Sequence, residues 1–351
     1  MSDIIPIFDG HNDVLLRLRQ AGLQKAAQRF IRGGNTGHLD LPRAREGGFA
    51  GGLFALYAPS RRDLDFNLFR GASYEVPLPA EVPLEDARTA MIEMAALLIR
   101  IERESKGALS LCRTTTEIEA AMARGSLAAV MHIEGAEAID PDLSFLEVLY
   151  AAGLRSIGPV WSRNNIFGDG VPMRFPSSPN INGGLTEAGE ALVRACNRMG
   201  ILVDVSHMTE RGFWDVARIS EAPLVATHSN LHSFCPSSRN LTERQLDAIR
   251  DSDGLVGVNF ATCFLREDGR MDEDTDLDVV VRHVDGLIDR LGETRVGFGS
   301  DYDGAIVPRS LKSVADLQSL IRALRDHGYD DGTIQRLASG NWMRVLRQTI
   351  G

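Results

Sequence analysis

Eight short apolar or β-branched runs recur along the chain, and longer segments with the apolar spacing of amphipathic helices separate them. This alternation is typical of βα units that build a parallel sheet. The runs are residues 4–8, 52–57, 127–133, 155–160, 201–205, 224–227, 255–260 and 296–299. The predicted helices are residues 84–105, 186–199, 210–219, 242–250, 276–291 and 313–327.

Eight strands with intervening helices predict an α/β fold, a (β/α)8 TIM barrel, rather than an open dinucleotide-binding sheet. The glycine fingerprint of such a sheet is absent from the first run, and Gly297-Phe298-Gly299 lacks the third glycine at the required place. Segments 61–83 and 163–184 are predicted to be loops, the second over one barrel face. No repeat or linker divides the chain, so we expect residues 1–351 to form a single barrel domain.

Charge and hydropathy narrow the classes of partner. Acidic residues outnumber basic ones by 48 to 38, giving a net charge of −10, which disfavours binding to nucleic acid. No stretch of 18 apolar residues or signal peptide is present, so we expect a cytoplasmic protein with no membrane partner. The cysteines form no C-x-x-C pair and are expected to be reduced, small apolar residues; they are Cys112, Cys196, Cys235 and Cys263.

The first run leads into Asp9-Gly10-His11-Asn12-Asp13, in which a histidine and an aspartate are two residues apart. Residues i and i+2 of an extended segment point to the same side. His11 and Asp13 therefore offer an imidazole and a carboxylate to one metal ion. Taken alone, the segment leaves open the alternative of two solvated turn residues.

The third run ends in Glu134, where burial is costly unless a cation or hydrogen bonds compensate the carboxylate. We therefore predict that Glu134 is a metal ligand. His132 faces the same side in a regular strand and is an alternative ligand, but we favour a histidine satisfied within the core or behind the ligands. Glu137 is interpreted as an ordinary surface or loop carboxylate.

Two histidines, His207 and His228, come at or just past the ends of the fifth and sixth runs. In a (β/α)8 barrel these positions lie on the face where active sites are built. Their equivalent placement on consecutive strands predicts that both are metal ligands. His232 is four residues after His228, but no H-E-x-x-H motif is present and Pro236 follows closely, so His232 is predicted to be a loop residue.

The eighth run is followed by Asp301 and Asp303. An aspartate at the end of a strand can transfer protons beside a metal-bound water. We assign this role to Asp301, the nearer of the two, and interpret Asp303 with Gly304 as a turn. Arg239, just before a predicted helix, is a candidate for binding a substrate carboxylate through two parallel hydrogen bonds, with a surface ion pair as the alternative.

Together these residues supply three histidines, one aspartate and one glutamate as ligands, with Asp301 left free. Five ligands exceed what one tetrahedral zinc ion needs. A two-metal site bridged by a carboxylate, with the ions roughly 3.5–4 Å apart, is the simplest arrangement. Glu134 is the expected bridge.

The whole chain resembles the membrane (renal) dipeptidase family of zinc peptidases, including its soluble bacterial members. The matching segments, in family order, are FDGHND, HIEG, VDVSH, THSN, SRNLT, GFGSDYDG and SGNWMRVL. The resemblance implies a (β/α)8 barrel with two Zn2+ ions per chain. It assigns His11 and Asp13 to one ion, His207 and His228 to the other, and Glu134 to both.

The resemblance further implies that Arg239 binds the C-terminal carboxylate of a dipeptide and that Asp301 handles protons during attack by a metal-bridging hydroxide. Members of the family cleave dipeptides, tolerate a D-residue on the C-terminal side and are often homodimers. We therefore expect a homodimeric zinc-dependent dipeptidase acting on L,L and L,D dipeptides. The alternatives are another dinuclear-metal amide or lactone hydrolase on the same barrel, and a metal-binding barrel without peptidase activity.

One segment departs from the family pattern. Where the family commonly has a substrate-contacting histidine after the fourth strand, this chain has Trp161. An indole donates one hydrogen bond but carries no charge, so stabilisation of the oxyanion is expected to fall to the metals or to Arg163 or Asn164. Trp161 and Asn164 are thus the predicted substrate-binding residues beside Arg239.

Overall fold

The computed structural model describes residues 4–61 and 64–351 and contains a barrel of parallel strands. The eight barrel strands are Ile7–Asn12 (β1), Phe49–Tyr57 (β2), Leu127–Glu134 (β3), Leu154–Gly158 (β4), Leu202–Val203 (β5), Val225–Ala226 (β6), Leu255–Val258 (β7) and Val296–Phe298 (β8). They are hydrogen-bonded in the order β5-β4-β3-β2-β1-β8-β7-β6. The Val205 N–H donates to the Val225 carbonyl (2.9 Å) beside a parallel bridge between Asp204 and Val225, which joins β5 to β6. The predicted (β/α)8 barrel is confirmed.

Helices cover the outside of the barrel. The α-helices are Val14–Gln20, Ala26–Arg32, Leu41–Gly47, Leu84–Ser105, Thr115–Ala123, Ser144–Ala152, Glu187–Met199, Glu210–Ile219, Glu243–Asp251, Thr262–Leu265, Leu277–Leu291, Leu317–His327, Asp331–Gln335 and Asn341–Thr349. Short 3-10 turns are Leu23–Lys25, Phe66–Arg70, Arg309–Leu311 and Val314–Asp316, and Arg336–Gly340 is a π-helical turn. No helix of the described residues is both long and apolar enough to cross a bilayer.

Predicted helix starts differ from the observed ones where a capping residue had been counted as helical. Thr186 precedes the helix Glu187–Met199, and its hydroxyl accepts a hydrogen bond from the Gly189 N–H (3.1 Å). Thr242 forms a capping box with Gln245 at the start of Glu243–Asp251. These side chains satisfy N–H groups that the first turn of a helix leaves without an acceptor.

The alternation of side chains along β3 explains how the barrel carries polar groups. Ala128 and Val130 pack in one buried cluster, which Trp342 of the C-terminal helix joins, whereas Ala129, Met131 and Ile133 belong to the main core. In a strand of period two, His132 and Glu134 continue the row of Val130. The same row thus changes from apolar to polar near the carboxyl end of the strand.

The first predicted strand has wrong bounds: 4–8 was expected, but β1 is Ile7–Asn12. The polar residues of β1 are buried in the strand instead of forming a turn. A strand prediction that follows only the apolar residues therefore ends too early. A short strand that the sequence did not predict, Leu109–Leu111, pairs with the first half of β3. All four cysteines are free and buried, as expected.

The two predicted loops each contain a short strand. Tyr74–Glu75 pairs antiparallel with Arg174–Phe175, and this two-stranded sheet is separate from the barrel. The loop prediction for 61–83 includes residues 62 and 63, which lie outside the described residues. The pairing links the two long connections to each other.

Candidate metal centre

The barrel brings the five sequence-predicted ligands together at the carboxyl ends of its strands. His11 lies in β1, Asp13 directly follows it, and Glu134 is the last residue of β3. His207 and His228 follow the short strands β5 and β6. All five residues are buried, with exposed fractions of 6% or less.

One half of the centre joins the first strand to the third. His11 Nε2 lies 3.3 Å from Asp13 Oδ2 and 3.7 Å from Glu134 Oε1. The carboxylate of Asp301 completes a group with His11 and Asp13 whose ligand atoms all lie within 4.8 Å of one another. This half therefore combines one imidazole with several carboxylate oxygens.

The other half contains the two remaining histidines. His207 Nε2 and His228 Nε2 are 3.0 Å apart. Glu134 Oε1 lies 3.0 Å from the first nitrogen and 3.6 Å from the second. Among the residues that the structure describes, Glu134 is thus the one carboxylate that faces His11, His207 and His228 together.

Hydroxyl groups set the orientation of both histidines. Thr227 Oγ1 donates to Asp204 Oδ2 (2.6 Å) and lies 2.8 Å from His228 Nδ1. Since the single hydroxyl proton goes to Asp204, His228 Nδ1 carries the proton of its ring and Nε2 keeps a lone pair directed at the centre. The Nδ1 atom of His207 likewise contacts Ser162 Oγ (2.9 Å).

Burial and charge act differently on the titratable groups. Burial holds the pKa of His207 and of His228 well below the usual value, so both rings are neutral, the form that binds metals. Burial raises the pKa of Glu134 well above its usual value. For His11, burial lowers the pKa, but the facing carboxylates of Glu134 and Asp13 outweigh it and raise the pKa to about 10. The carboxylates thus favour a positive charge in their midst.

These residues fit divalent cations. Neither ring nitrogen of His11 has a hydrogen-bond partner among the described residues, although both are buried. The lone pair of His228 Nε2 and the Glu134 carboxylate converge on the same space as His207 Nε2. Imidazole nitrogens and carboxylate oxygens are the donor set that zinc and similar ions prefer.

The backbone around the centre is constrained. His207 and Asp301 have φ values of +62° and +61°, in the left-handed region that residues other than glycine rarely adopt. Such conformations persist where the surrounding structure enforces them, as at functional sites. A Cβ atom at Gly304 would collide with the carboxylates of Asp13 and Asp301, so a residue without a side chain is required there.

Asp301 is partly buried beside the first half of the centre, and Asn259 fixes its orientation. Asn259 Nδ2 donates to Asp301 Oδ2 at 3.0 Å, and the Asn259 side-chain carbonyl accepts from the Ala261 N–H (2.6 Å). Burial raises the pKa of Asp301, which increases its ability to hold a proton. Asn259 follows β7 and was missed by the sequence analysis, since a lone asparagine after an apolar run carries no distinctive pattern.

Arg239 is not a surface ion pair: its exposed fraction is 4%. Its Nη2 donates to the His228 carbonyl (3.2 Å), and the guanidinium lies over the Phe264 ring, 5.4 Å from the centroid. Its Nε has no hydrogen-bond partner among the described residues. A buried cation with unused donors beside the centre suits the binding of an anionic group.

Trp161 lies next to the centre, half-buried. Its ring centroid is 5.8 Å from that of His207 and 5.1 Å from that of Tyr57, on which it packs edge to face. Asn164 lies in the following loop, where its side-chain carbonyl accepts from the Gly170 N–H (3.2 Å). The indole therefore lies at the rim of the centre.

Two expectations for this region are wrong. Glu137 is a buried residue, not a surface carboxylate, and accepts from Arg163 Nη2 (2.8 Å) and Nε (3.0 Å). Arg163 also donates to the Ala58 carbonyl and the Ser60 hydroxyl. Because these contacts engage all three guanidinium nitrogens, Arg163 is not free to stabilise an oxyanion. Its guanidinium instead lies 5.5 Å from the Trp161 ring centroid.

His132, His232 and Asp204 make contacts outside the five-residue cluster. His132 is buried, contacts Ser156 Oγ through Nδ1 (2.9 Å) and has its Nε2 3.8 Å from Asp204 Oδ2. His232 Nε2 contacts the Ser177 carbonyl (2.8 Å). Asp204 was not predicted to have a role. It lies within the apolar run ILVDVSH, so the argument that led to Glu134, the cost of burying a carboxylate, applies to it as well.

Comparison with known proteins gives consistent similarity over the whole chain. The family described as membrane dipeptidase, peptidase family M19, matches residues 1–350. A metallo peptidase from Rhodobacter sphaeroides, solved with a phosphinate mimic of the dipeptide L-Ala-D-Ala, is 50% identical, with a TM-score of 0.97 over 99% of this chain and 100% of that one.

Two further relatives are similarly close. The solved dipeptidase AC, a metallo peptidase of family M19, is 50% identical, with a TM-score of 0.96 over 99% of this chain and 100% of that one. The uncharacterized protein in the pqqA 5′ region of Klebsiella pneumoniae is 49% identical over 255 residues, which are 73% of this chain and 94% of the relative.

Proposed function

The chain belongs to the membrane dipeptidase family, metallopeptidase family M19, and from this premise we propose that it is a zinc-dependent dipeptidase. The observation that carries the proposal is the position of Arg239. A buried guanidinium with an unused donor contacts the backbone of His228, a member of the five-residue cluster. A substrate with a free carboxylate a short distance from a hydrolysable bond matches this arrangement.

In this proposal the five buried residues hold two Zn2+ ions. His11 and Asp13 would hold one ion, His207 and His228 would hold the other, and Glu134 would contribute to both. The distances from Glu134 Oε1 to all three histidines, between 3.0 and 3.7 Å, support its shared role. When bound, the ions supply polarisation of the scissile carbonyl and activation of water.

The remaining residues position the substrate and move the proton. Arg239 binds the C-terminal carboxylate and so fixes the peptide bond relative to the centre. Asp301 accepts the proton that the attacking water loses and delivers it to the leaving amine. Asn259 holds the Asp301 carboxylate in place through its 3.0 Å hydrogen bond. Trp161 forms one wall of the substrate pocket, and Asn164 lies in the loop beside it.

Both L,L and L,D dipeptides are proposed substrates. The solved relative from Rhodobacter sphaeroides, 50% identical to this chain, was bound to a mimic of L-Ala-D-Ala. Because Arg239 binds the carboxylate in this proposal, selection acts on that group rather than on the configuration at the Cα atom of the C-terminal residue.

The test is a substrate panel assayed with chelator-treated protein reconstituted with Zn2+. The panel pairs L-Ala-L-Ala and L-Ala-D-Ala with the corresponding dipeptide amides, and adds a simple lactone. We expect zinc-dependent hydrolysis of both dipeptides and poor hydrolysis of the amides, because Arg239 requires a carboxylate. In Arg239→Ala the preference for the free dipeptide should shrink, whereas Arg244→Ala, a surface arginine near Trp214, should behave as wild type.

Each alternative function has its own outcome in this panel. Equal hydrolysis of a dipeptide and its amide, or preference for the lactone, would indicate a broader hydrolase. A protein that holds two metal ions but cleaves none of the compounds would indicate a metal-binding barrel.

A further inference from the structure

A separate cluster of apolar side chains covers one side of the metal centre. We call it the cap cluster; its buried members are Phe69, Tyr74, Val76, Met173, Phe175, Cys235, Ala261, Cys263, Phe264 and Met271. Trp161 packs against it from the side of His207. Phe264 packs under the guanidinium of Arg239. The cap cluster therefore spans the distance between the proposed pocket wall and the proposed carboxylate site.

Hydrogen bonds fasten the segment before and within the strand Arg174–Phe175 to the centre. The Val171 N–H donates to the His207 carbonyl (2.9 Å). Farther along, Arg174 N–H donates to Ser238 Oγ (2.9 Å), and Ser238 N–H donates to the Arg174 carbonyl (3.1 Å). Ser238 directly precedes Arg239. Residues 171–175 are therefore hydrogen-bonded to His207 at one end and to the neighbour of Arg239 at the other.

Tyr74 is held against this segment by the two-stranded sheet. It pairs with Phe175, and the Val76 N–H donates to the Met173 carbonyl (2.9 Å). The Tyr74 ring packs on Phe69 and Phe175, with centroid distances of 4.8 and 5.9 Å. These contacts hold the ring next to the stretch around Arg174, whose hydrogen bonds to Ser238 connect it to Arg239.

The hydroxyl of Tyr74 is buried, and Ser237 is the polar side chain beside it. The residue is 9% exposed, and no described residue makes a well-aligned hydrogen bond with its hydroxyl. The hydroxyl lies beside Ser237, with the thiols of Cys235 and Cys263 close by. Burial raises the pKa of Tyr74, so the hydroxyl keeps its proton. A buried donor with no acceptor is uncommon in folded proteins, because leaving it unpaired is costly.

Arg239 has the same property. The side-chain Nε of Arg239 is buried and has no hydrogen-bond partner among the described residues. The backbone N–H of Arg239 donates to Ser237 Oγ (3.3 Å). Ser237 is thus a shared neighbour of the Tyr74 side chain and the Arg239 backbone, and the Arg239 guanidinium lies over Phe264 of the same cap cluster. A carboxylate has two oxygens with several acceptor positions, so one carboxylate can accept from both residues.

Resting on the proposed dipeptidase function, we propose that the Tyr74 hydroxyl is a second donor to the C-terminal carboxylate of the substrate, beside Arg239. The paired strands Tyr74–Glu75 and Arg174–Phe175 bring it there. Tyr74 is thereby a specificity-determining residue: it favours substrates with a free carboxylate over those in which the carboxylate is masked. The small sheet has a function in substrate selection rather than only in covering the barrel.

The test is Tyr74→Phe in the zinc-loaded enzyme, with kcat and KM measured for a dipeptide and for its amide. Loss of one hydrogen bond to a charged group predicts that kcat/KM for the free dipeptide falls about tenfold, mainly through KM, while the amide is unaffected. Metal content should stay the same, and the melting temperature should not fall, because the substitution removes an unpaired hydroxyl. Tyr329→Phe is the matched control, since its hydroxyl donates to Asp285 far from the centre.

The outcomes separate this inference from the function on which it rests. An active wild type combined with unchanged kcat/KM for the free dipeptide in Tyr74→Phe would overturn the inference alone. Equal losses for dipeptide and amide, together with a lower melting temperature, would also overturn it, because they indicate a packing role. A wild type that cleaves no dipeptide would overturn the proposed function and the inference with it.

Discussion

The Nε2 atoms of His207 and His228 lie 3.0 Å apart, inside the barrel and at similar distances from Glu134 Oε1. The hydroxyl of Thr227 fixes the protonated nitrogen of His228 on the opposite side of its ring. A lone pair and a carboxylate placed this close repel each other unless a positive charge lies between them. The arrangement therefore suits bound cations, and we expect its stability to depend on them.

Metal content is the first prediction. Purified wild-type protein should hold close to two divalent ions per chain, and Glu134→Gln should reduce this number, because the amide replaces a carboxylate that faces all three histidines. Chelation should lower the melting temperature, since five buried ligand side chains lose their partner. Elemental analysis and thermal unfolding measure the two effects, with surface Glu190→Gln as the control.

A single ion per chain, unchanged in Glu134→Gln, would contradict a site that Glu134 bridges.

Asp301 is the subject of the second prediction. Asp301→Asn keeps the size of the side chain but removes its ability to accept a proton, so kcat should fall on the order of a hundredfold or more. Asn259→Ala frees the carboxylate from its 3.0 Å hydrogen bond and should lower kcat by a smaller factor. Metal content should be retained in both, and Asp303→Asn, which alters the neighbouring turn, should remain active. Steady-state kinetics with elemental analysis provides the check; full activity of Asp301→Asn would assign the proton transfer to another group.

The sequence predicts the barrel well because each strand is short, apolar and flanked by an amphipathic helix. It is less successful where polar residues are buried. β1 was ended at residue 8, although it continues through His11, because the pattern of a buried polar strand end resembles that of a turn. Glu137 was misplaced for the related reason that its partner Arg163 is 26 residues away in the chain. Long-range pairing of this kind leaves no local pattern.

The five candidate ligands could be predicted from the sequence because each stands at or just past the end of an apolar run, where a polar side chain is conspicuous. Asn259 and Tyr74 were not accessible, because their roles depend on which other strand or loop lies beside them. Assembly as a homodimer and residence in the cytoplasm stay predictions from the resemblance and from the composition.

The buried pair of Glu137 and Arg163 gives the third prediction. Arg163→Met leaves the Glu137 carboxylate buried without its cation, which should cost about 3–5 kcal/mol in the free energy of unfolding. The double variant Glu137→Gln with Arg163→Met should recover a large part of that loss, because no unpaired charge remains. Denaturant unfolding of the two single variants and the double variant measures the coupling. Additive losses in the double variant would show that the two residues act independently.

The last prediction concerns Trp161, the residue that the resemblance to the family places where a histidine is expected. Its ring lies 5.8 Å from the His207 ring and packs edge to face on Tyr57, so truncation to alanine enlarges the pocket beside the metal centre rather than opening a cavity deep in the core. Trp161→Ala should therefore change the ranking of dipeptide side chains while metal content stays near two ions, and Trp161→His should shift the ranking because an imidazole is smaller and titratable. Trp214→Ala, on the helix Glu210–Ile219, controls for loss of an indole elsewhere. A dipeptide panel, elemental analysis and melting temperatures of the three variants test this prediction. An unchanged ranking of dipeptides with a lower melting temperature would show that Trp161 serves packing alone.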